Sequence, residues 1–110
     1  MKNSFITGIL ICLSATSLLV YGDEGDYQLV IKDHRFTPAE LKIPAGKRVK
    51  LIVANRDDTV EEFESKALRV EKIIPGNTNA MIWVGPLKEG KYDFVGEFHE
   101  DTAKGVLISE

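Results

Sequence analysis

The sequence is almost without cysteine. Cys12 is the only one, and it lies in an apolar stretch near the start. Beyond that stretch the chain has no thiolate nucleophile, no CxxC redox pair and no cysteine-held zinc, iron–sulfur or blue-copper site. Disulfides, which an exported protein can use, are excluded as well, so the folded part must hold together by packing. Hydrolase signatures are also missing: there is no Gly-x-Ser-x-Gly, no His-Glu-x-x-His and no phosphate-binding glycine loop. A stand-alone enzyme is therefore not expected. Nor is positive charge in excess. Fourteen Lys and Arg against seventeen Asp and Glu give a net charge of −3, which offers no basic face to nucleic acid.

A long apolar run occurs once, at the N-terminus. Lys2 precedes Phe5-Ile6-Thr7-Gly8-Ile9-Leu10-Ile11-Cys12-Leu13, and Val20-x-Gly22 precedes Asp23 and Glu24. A cation, an apolar run and small residues before an acidic start describe a secretory signal peptide. The rival is a retained transmembrane anchor. Ser14, Thr16 and Ser17 interrupt the run, whereas a span needs about 20 apolar residues. No cysteine follows the cleavage site to carry a lipid. The expected organisation is a signal peptide over 1–22 and one domain over 23–110, a length that can bury one core but not two. Cleavage removes Lys2 and leaves the domain more acidic still.

The rest of the chain reads as short strands separated by turns. Tyr27 to Lys32 is a first strand, broken at Asp33-His34, with Phe36 as an apolar plug and His34 a loop residue. Leu41 and Ile43 alternate with polar neighbours before the turn Pro44-Ala45-Gly46. Lys47 to Ala54 places Val49, Leu51 and Val53 on one face. Asn55 to Thr59 closes that strand, and Phe63 is a core candidate. Lys66 to Lys72 is open between a helical turn and an extended loop. Asn79 to Val84 sets Met81 and Trp83 on one face against Ala80, Ile82 and Val84 on the other. Met81 is read as a filler of a core gap and Trp83 as packing. Tyr92 and Phe94 share a face of a late strand, and Val106-Leu107-Ile108 closes the domain. Some seven strands with Gly/Pro turns, and no amphipathic helix, predict a Greek-key β-sandwich.

The most informative stretch is Tyr92-Asp93-Phe94-Val95-Gly96-Glu97-Phe98-His99-Glu100-Asp101-Thr102-Ala103-Lys104-Gly105. Glu97, His99 and Asp101 stand at alternate positions just past a core strand, where a rigid support can present ligands. This stretch resembles the ligand loop of the cupredoxins, the small copper β-sandwiches, which runs Tyr-x-Phe-x-Cys-x-x-His, four residues, then Met-x-Gly. Here the frame is Tyr92-x-Phe94-x-Gly96-x-x-His99, then Lys104 and Gly105 with the last glycine shifted by one. The resemblance sets Gly96 at the thiolate position and Lys104 at the axial thioether position. Phe36-Thr37-Pro38-Ala39-Glu40-Leu41 and Pro44-Ala45-Gly46 are similar to the N-terminal part of the same domains. Gly96-Glu97-Phe98-His99 and Asp101-Thr102-Ala103-Lys104-Gly105 are similar to the short periplasmic cupredoxin-like proteins that accompany bacterial iron permeases.

The resemblance implies an all-β, cupredoxin-like Greek-key sandwich in the periplasm. It also implies that strand ends bring two loops together. Counting from Asn55 to Phe63, it puts Glu62 where the first copper histidine stands. The implied ligands are then Glu62, Glu97 and His99, with Glu64, Glu71 and Asp101 in reserve. One imidazole among carboxylates suits Cu2+, Fe2+, Mn2+ or Zn2+ rather than Cu+. Crowded carboxylates repel one another unless a cation sits among them. The expected role is a metal-binding accessory protein of iron or copper transport, with copper (Cu2+) or iron (Fe2+) as its ion. An inner-membrane iron permease or its accessory proteins would be the partner. Two other readings stand beside it: a metal-dependent redox partner in ferrous iron oxidation, and a metal-free protein-binding β-sandwich. Sandwich edge strands leave room for a homodimer.

Overall fold

A computed structural model describes residues 26–110; the expected signal peptide and Cys12 lie outside the described residues. Nine strands form: β1 (Asp26–Lys32), β2 (Arg35–Thr37), β3 (Glu40–Ile43), β4 (Val49–Asn55), β5 (Glu61–Ser65), β6 (Val70–Ile74), β7 (Asn79–Val84), β8 (Gly90–Gly96) and β9 (Lys104–Ser109). A 3-10 turn, Glu97–His99, follows β8. The strands make a four-stranded sheet in the order β2-β1-β4-β7 and a five-stranded sheet in the order β3-β9-β8-β5-β6. β1 with β4 and β3 with β9 are parallel pairs, and the other pairs are antiparallel. The expected sandwich is thus present.

Alternation explains what each strand buries. In β4 Val49, Leu51 and Val53 are buried, and in β7 Ala80, Ile82 and Val84 meet them across the sheet. Leu29 and Ile31 of β1 complete that inner layer. From the other sheet come Phe63, Ile74, Phe94 and Leu107. Phe36, the expected plug, is buried and meets Phe94 and Phe63 edge-on, with centroids 4.9 and 6.0 Å away. Phe63 and Phe94 stack at 5.1 Å, and the Phe94 ring lies over the bare backbone of its cross-strand partner Gly105. These three rings bridge the two sheets and supply a large share of the apolar burial.

Several local readings change. Asp33–Pro38 is more than a break, because Arg35–Thr37 folds back onto β1 as a short strand. The open stretch after Ser65 becomes a turn and then β6, which pairs with β5. Met81 fills no core gap: it and Trp83 are about half exposed, on the outer face of β7. Their shared parity was legible, but the face that packs is the one opposite Leu51 and Val53. Tyr92 is half-buried and donates its hydroxyl hydrogen to the Lys88 carbonyl at 2.8 Å.

Asn55 closes β4 from inside the protein. Its Nδ2 donates to the carbonyls of Thr59, Ile74 and Pro75, and its Oδ1 accepts from the Asp57 amide. One buried side chain thereby satisfies backbone groups of two connections, the β4–β5 loop and the turn that follows β6. Asn55→Ala is expected to leave buried carbonyls unpaired and to cost about 3 kcal/mol, read as a lowered urea midpoint with an unchanged slope.

Candidate functional site

Two groups of acidic and imidazole side chains flank β5, one inside the sandwich and one outside. The alternation of the strand decides which residue goes where. Glu61, Phe63 and Ser65 point inward, and Glu62 and Glu64 point outward.

The inner group centres on Glu61, which is 1% exposed. A carboxylate removed from water must be hydrogen bonded, and this one is. Oε1 accepts from the amides of Glu62 and Phe98 at 3.0 and 2.9 Å. Oε2 lies 2.7 Å from His99 Nδ1. Because a carboxylate accepts, the imidazole donates from Nδ1. The carboxyl group fits there because position 96 has no side chain. A Cβ on Gly96 would lie 2.7 Å from the Glu61 carboxyl carbon and 2.7 Å from the Ala103 Cβ. The 3-10 turn is thereby pinned to β5 by Glu61, and the Ala103 amide donates to the His99 carbonyl at 2.8 Å.

His34 caps this group. Its ring stacks on His99 with centroids 3.5 Å apart and planes 12° from parallel. The His34 backbone sits in the left-handed region at φ 57°, as does Asp33 at φ 53°. The Asp57 carboxylate holds that turn by accepting from the Asp33 and His34 amides at 2.7 and 2.9 Å. Thr102 Oγ1 donates to the His34 carbonyl at 2.6 Å. Parallel rings send their in-plane lone pairs side by side rather than toward one point, so the stacked pair does not converge on one ion.

The outer group contains most of the expected ligands. Glu64 faces Glu71 across the β5–β6 pair, and Glu97 extends over them from the 3-10 turn. Hydrogen bonding to the Glu97 carboxyl, then partial loss of water and the charges of Glu97 and Glu71, push Glu64 up to about 7. Glu62 is raised by partial loss of water and by the charges of Glu71, Glu97 and Glu61. A groove of about 500 Å³ runs alongside, lined by Glu64, Glu97, Glu100, Lys66 and Lys91 among others.

The expected ligands therefore divide. Glu62, Glu64, Glu71 and Glu97 share the outer face. His99 turns inward to Glu61, and Asp101 is exposed in the turn before β9. Lys104 is exposed on β9, opposite Val95. Among the described residues no three His, Cys, Asp or Glu side chains converge as a ready-made metal cage. The residue missed from the sequence is Glu61. Its signal was the two-residue period from Phe63, which puts Glu61 on the buried face.

The family description "Cupredoxin-like domain" matches residues 4–109. The chain belongs to the cupredoxin-like domain family. An uncharacterized protein of Rickettsia prowazekii (strain Madrid E) is 40% identical over 118 residues, covering 97% of this chain and 94% of that protein. Among solved structures, the fold is similar to auracyanin A, a blue copper protein from Chloroflexus aurantiacus, with a TM-score of 0.66 at 13% identity over 77% of this chain and 98% of that one. It is also similar to the metal binding domain of the Cu(I) exporting P-type ATPase CopA of Streptococcus pneumoniae, with a TM-score of 0.65 at 14% identity over 77% of this chain and 84% of that one. At such identities the likeness is one of fold. The cupredoxin-like frame here does not fit thiolate-held copper: residues 26–110 contain no cysteine, and the Glu61 carboxyl fills the space beside Gly96.

Two measurements probe these groups. Gly96→Ala is expected to overpack the space shared by Glu61 and Ala103 and to cost about 2 kcal/mol, measured by urea unfolding. The Glu64 carboxyl, raised in the fold from 4.5 to about 7, binds its proton more tightly folded than unfolded. Its contribution to stability is full below about 4.5 and is lost as pH rises through about 7. The urea midpoint should fall across that window, and Glu64→Gln should flatten the fall.

Proposed function

We propose that this cupredoxin-like protein is a periplasmic metal-binding accessory protein of iron or copper transport. It takes its ion on the carboxylate face formed by Glu64, Glu97, Glu71 and Glu62. The observation that carries the reading is the crowding of carboxyl groups on this face: Glu64 stands opposite Glu71 across β5 and β6, and Glu97 hydrogen bonds to Glu64. Carboxyl groups this close hold a proton where a divalent cation relieves the same repulsion. Carboxylate oxygens suit Fe2+, and they suit Cu2+ better than Cu+.

The ion is cargo in this reading. Binding displaces the proton held near Glu64 and Glu97. The face is open to solvent, which favours exchange over permanent retention. The resemblance of Gly96-Glu97-Phe98-His99 to proteins that accompany iron permeases supports delivery to such a membrane partner. The apolar N-terminal run supports export. Glu61 and His99 belong to the support beneath the face: they fix the turn from which Glu97 extends.

Calorimetric titration of the metal-stripped protein with anaerobic Fe2+, and separately with Cu2+, tests this. One saturable site is expected. Its affinity should weaken as pH is lowered through about 7, because a proton competes at Glu64. The double variant Glu64→Gln/Glu97→Gln should lose binding at least about tenfold, the order of one lost charged ligand. Unchanged affinity in that variant would refute the assignment.

A further inference from the structure

Four strands form the edges of the two sheets: β2, β7, β3 and β6. Free edges are usually blunted by brevity, charge or proline. β2 has three residues, one of them Arg35, and Pro38 follows it. β3 carries Glu40 and Lys42 and runs into Pro44. β6 carries Glu71 and Lys72. β7 differs: Asn79-Ala80-Met81-Ile82-Trp83-Val84 has six residues, no charge and no proline.

The hydrogen-bond phase shows what this edge offers. The Asn55 amide donates to the Thr78 carbonyl at 2.8 Å, one step beyond the Ala54–Asn79 pair of the β4–β7 ladder. Hydrogen-bonded pairs alternate along an antiparallel ladder. Val53–Ala80, Leu51–Ile82 and Val49–Val84 are therefore bonded, and Asn79, Met81 and Trp83 direct their amides and carbonyls away from β4. Side chains of the same residues stand on the outer face, Met81 50% and Trp83 46% exposed. Among the described residues the edge thus presents unpaired backbone and apolar surface together.

Charge selects the occupant. Lys47, Arg48 and Lys50 lie at the start of β4, beside the Trp83 end of β7, where the Arg48 guanidinium sits 4.3 Å over the Trp83 ring. Arg56, Asp57 and Asp58 follow the end of β4 beside the Asn79 end, where the Asn77 amide donates to the Asp57 carbonyl. One end of the edge is cationic and the other carries a net negative charge. An antiparallel copy of the same edge sets each cationic end beside the partner's acidic end and opposes no like charges within the strand.

We propose that β7 pairs antiparallel with β7 of a second copy, joining two four-stranded sheets across a two-fold axis at Met81. Met81 faces Met81 of the second copy, and Asn79 faces Trp83. The interface is isologous, as a two-fold contact requires, and it covers the one uncharged edge among the described residues.

Sedimentation equilibrium of the protein, expressed with its own leader and purified from the host periplasm, reads the mass directly. A two-chain mass at micromolar concentration is expected. Met81→Lys, which opposes two cations at the axis, should return the mass to one chain; Ile73→Lys on β6 should leave it unchanged. In a Cys12→Ser background, Met81→Cys should cross-link under mild oxidant and Ile73→Cys should not. A single-chain mass throughout the micromolar range, or a dimer indifferent to Met81→Lys, would overturn the proposal.

Discussion

A buried carboxylate meeting an imidazole underlies the end of the sandwich where the candidate site lies. Glu61 sits inside the protein only because Gly96 has left it room. It stays there because two amides and His99 meet its oxygens. The arrangement joins β5 to the turn after β8. Through the stacked His34 ring it reaches the β1–β2 turn, which Asp57 and Thr102 hold in place. Truncating Glu61 would leave several donors without partners at once, so the group behaves as one unit.

The outer carboxylates depend on that unit. Glu64 and Glu71 are placed by strand pairing alone, since they face each other across β5 and β6. Glu97 is placed by the turn that Glu61 fixes. The interior group thus supplies geometry, and the exterior group supplies the charge that a cation would answer. The same strand contributes to both because its successive side chains point to opposite faces.

Much of this was legible in the sequence, and the misses have physical causes. The sandwich followed from alternation in β4 and β7 and from Gly/Pro turns, and the late acidic stretch pointed to the end where the candidate carboxylates lie. Sequence alone did not choose between the two faces. Glu61, Glu62 and Glu64 are chemically alike, and counting from Asn55 favoured Glu62. Only the phase set by Phe63 distinguishes the carboxyl that is buried. Met81 and Trp83 failed for the related reason that an apolar pair at alternate positions fits either side of a sheet. The edge position of β7 arises from tertiary order, which local pattern does not encode.

The aromatic residues divide between the core and the rim. Three phenylalanines bridge the sheets in the core, and Trp83, the sole tryptophan, stands half in water beneath a guanidinium. Intrinsic fluorescence excited at the indole band therefore reports the rim of one sheet and is nearly silent about the interior. A rearrangement of the Glu61–His99 support would leave that signal unchanged, while an event at the β7 edge would alter it. The protein thus carries a built-in optical label on its outer surface, on the sheet that does not bear the acidic face.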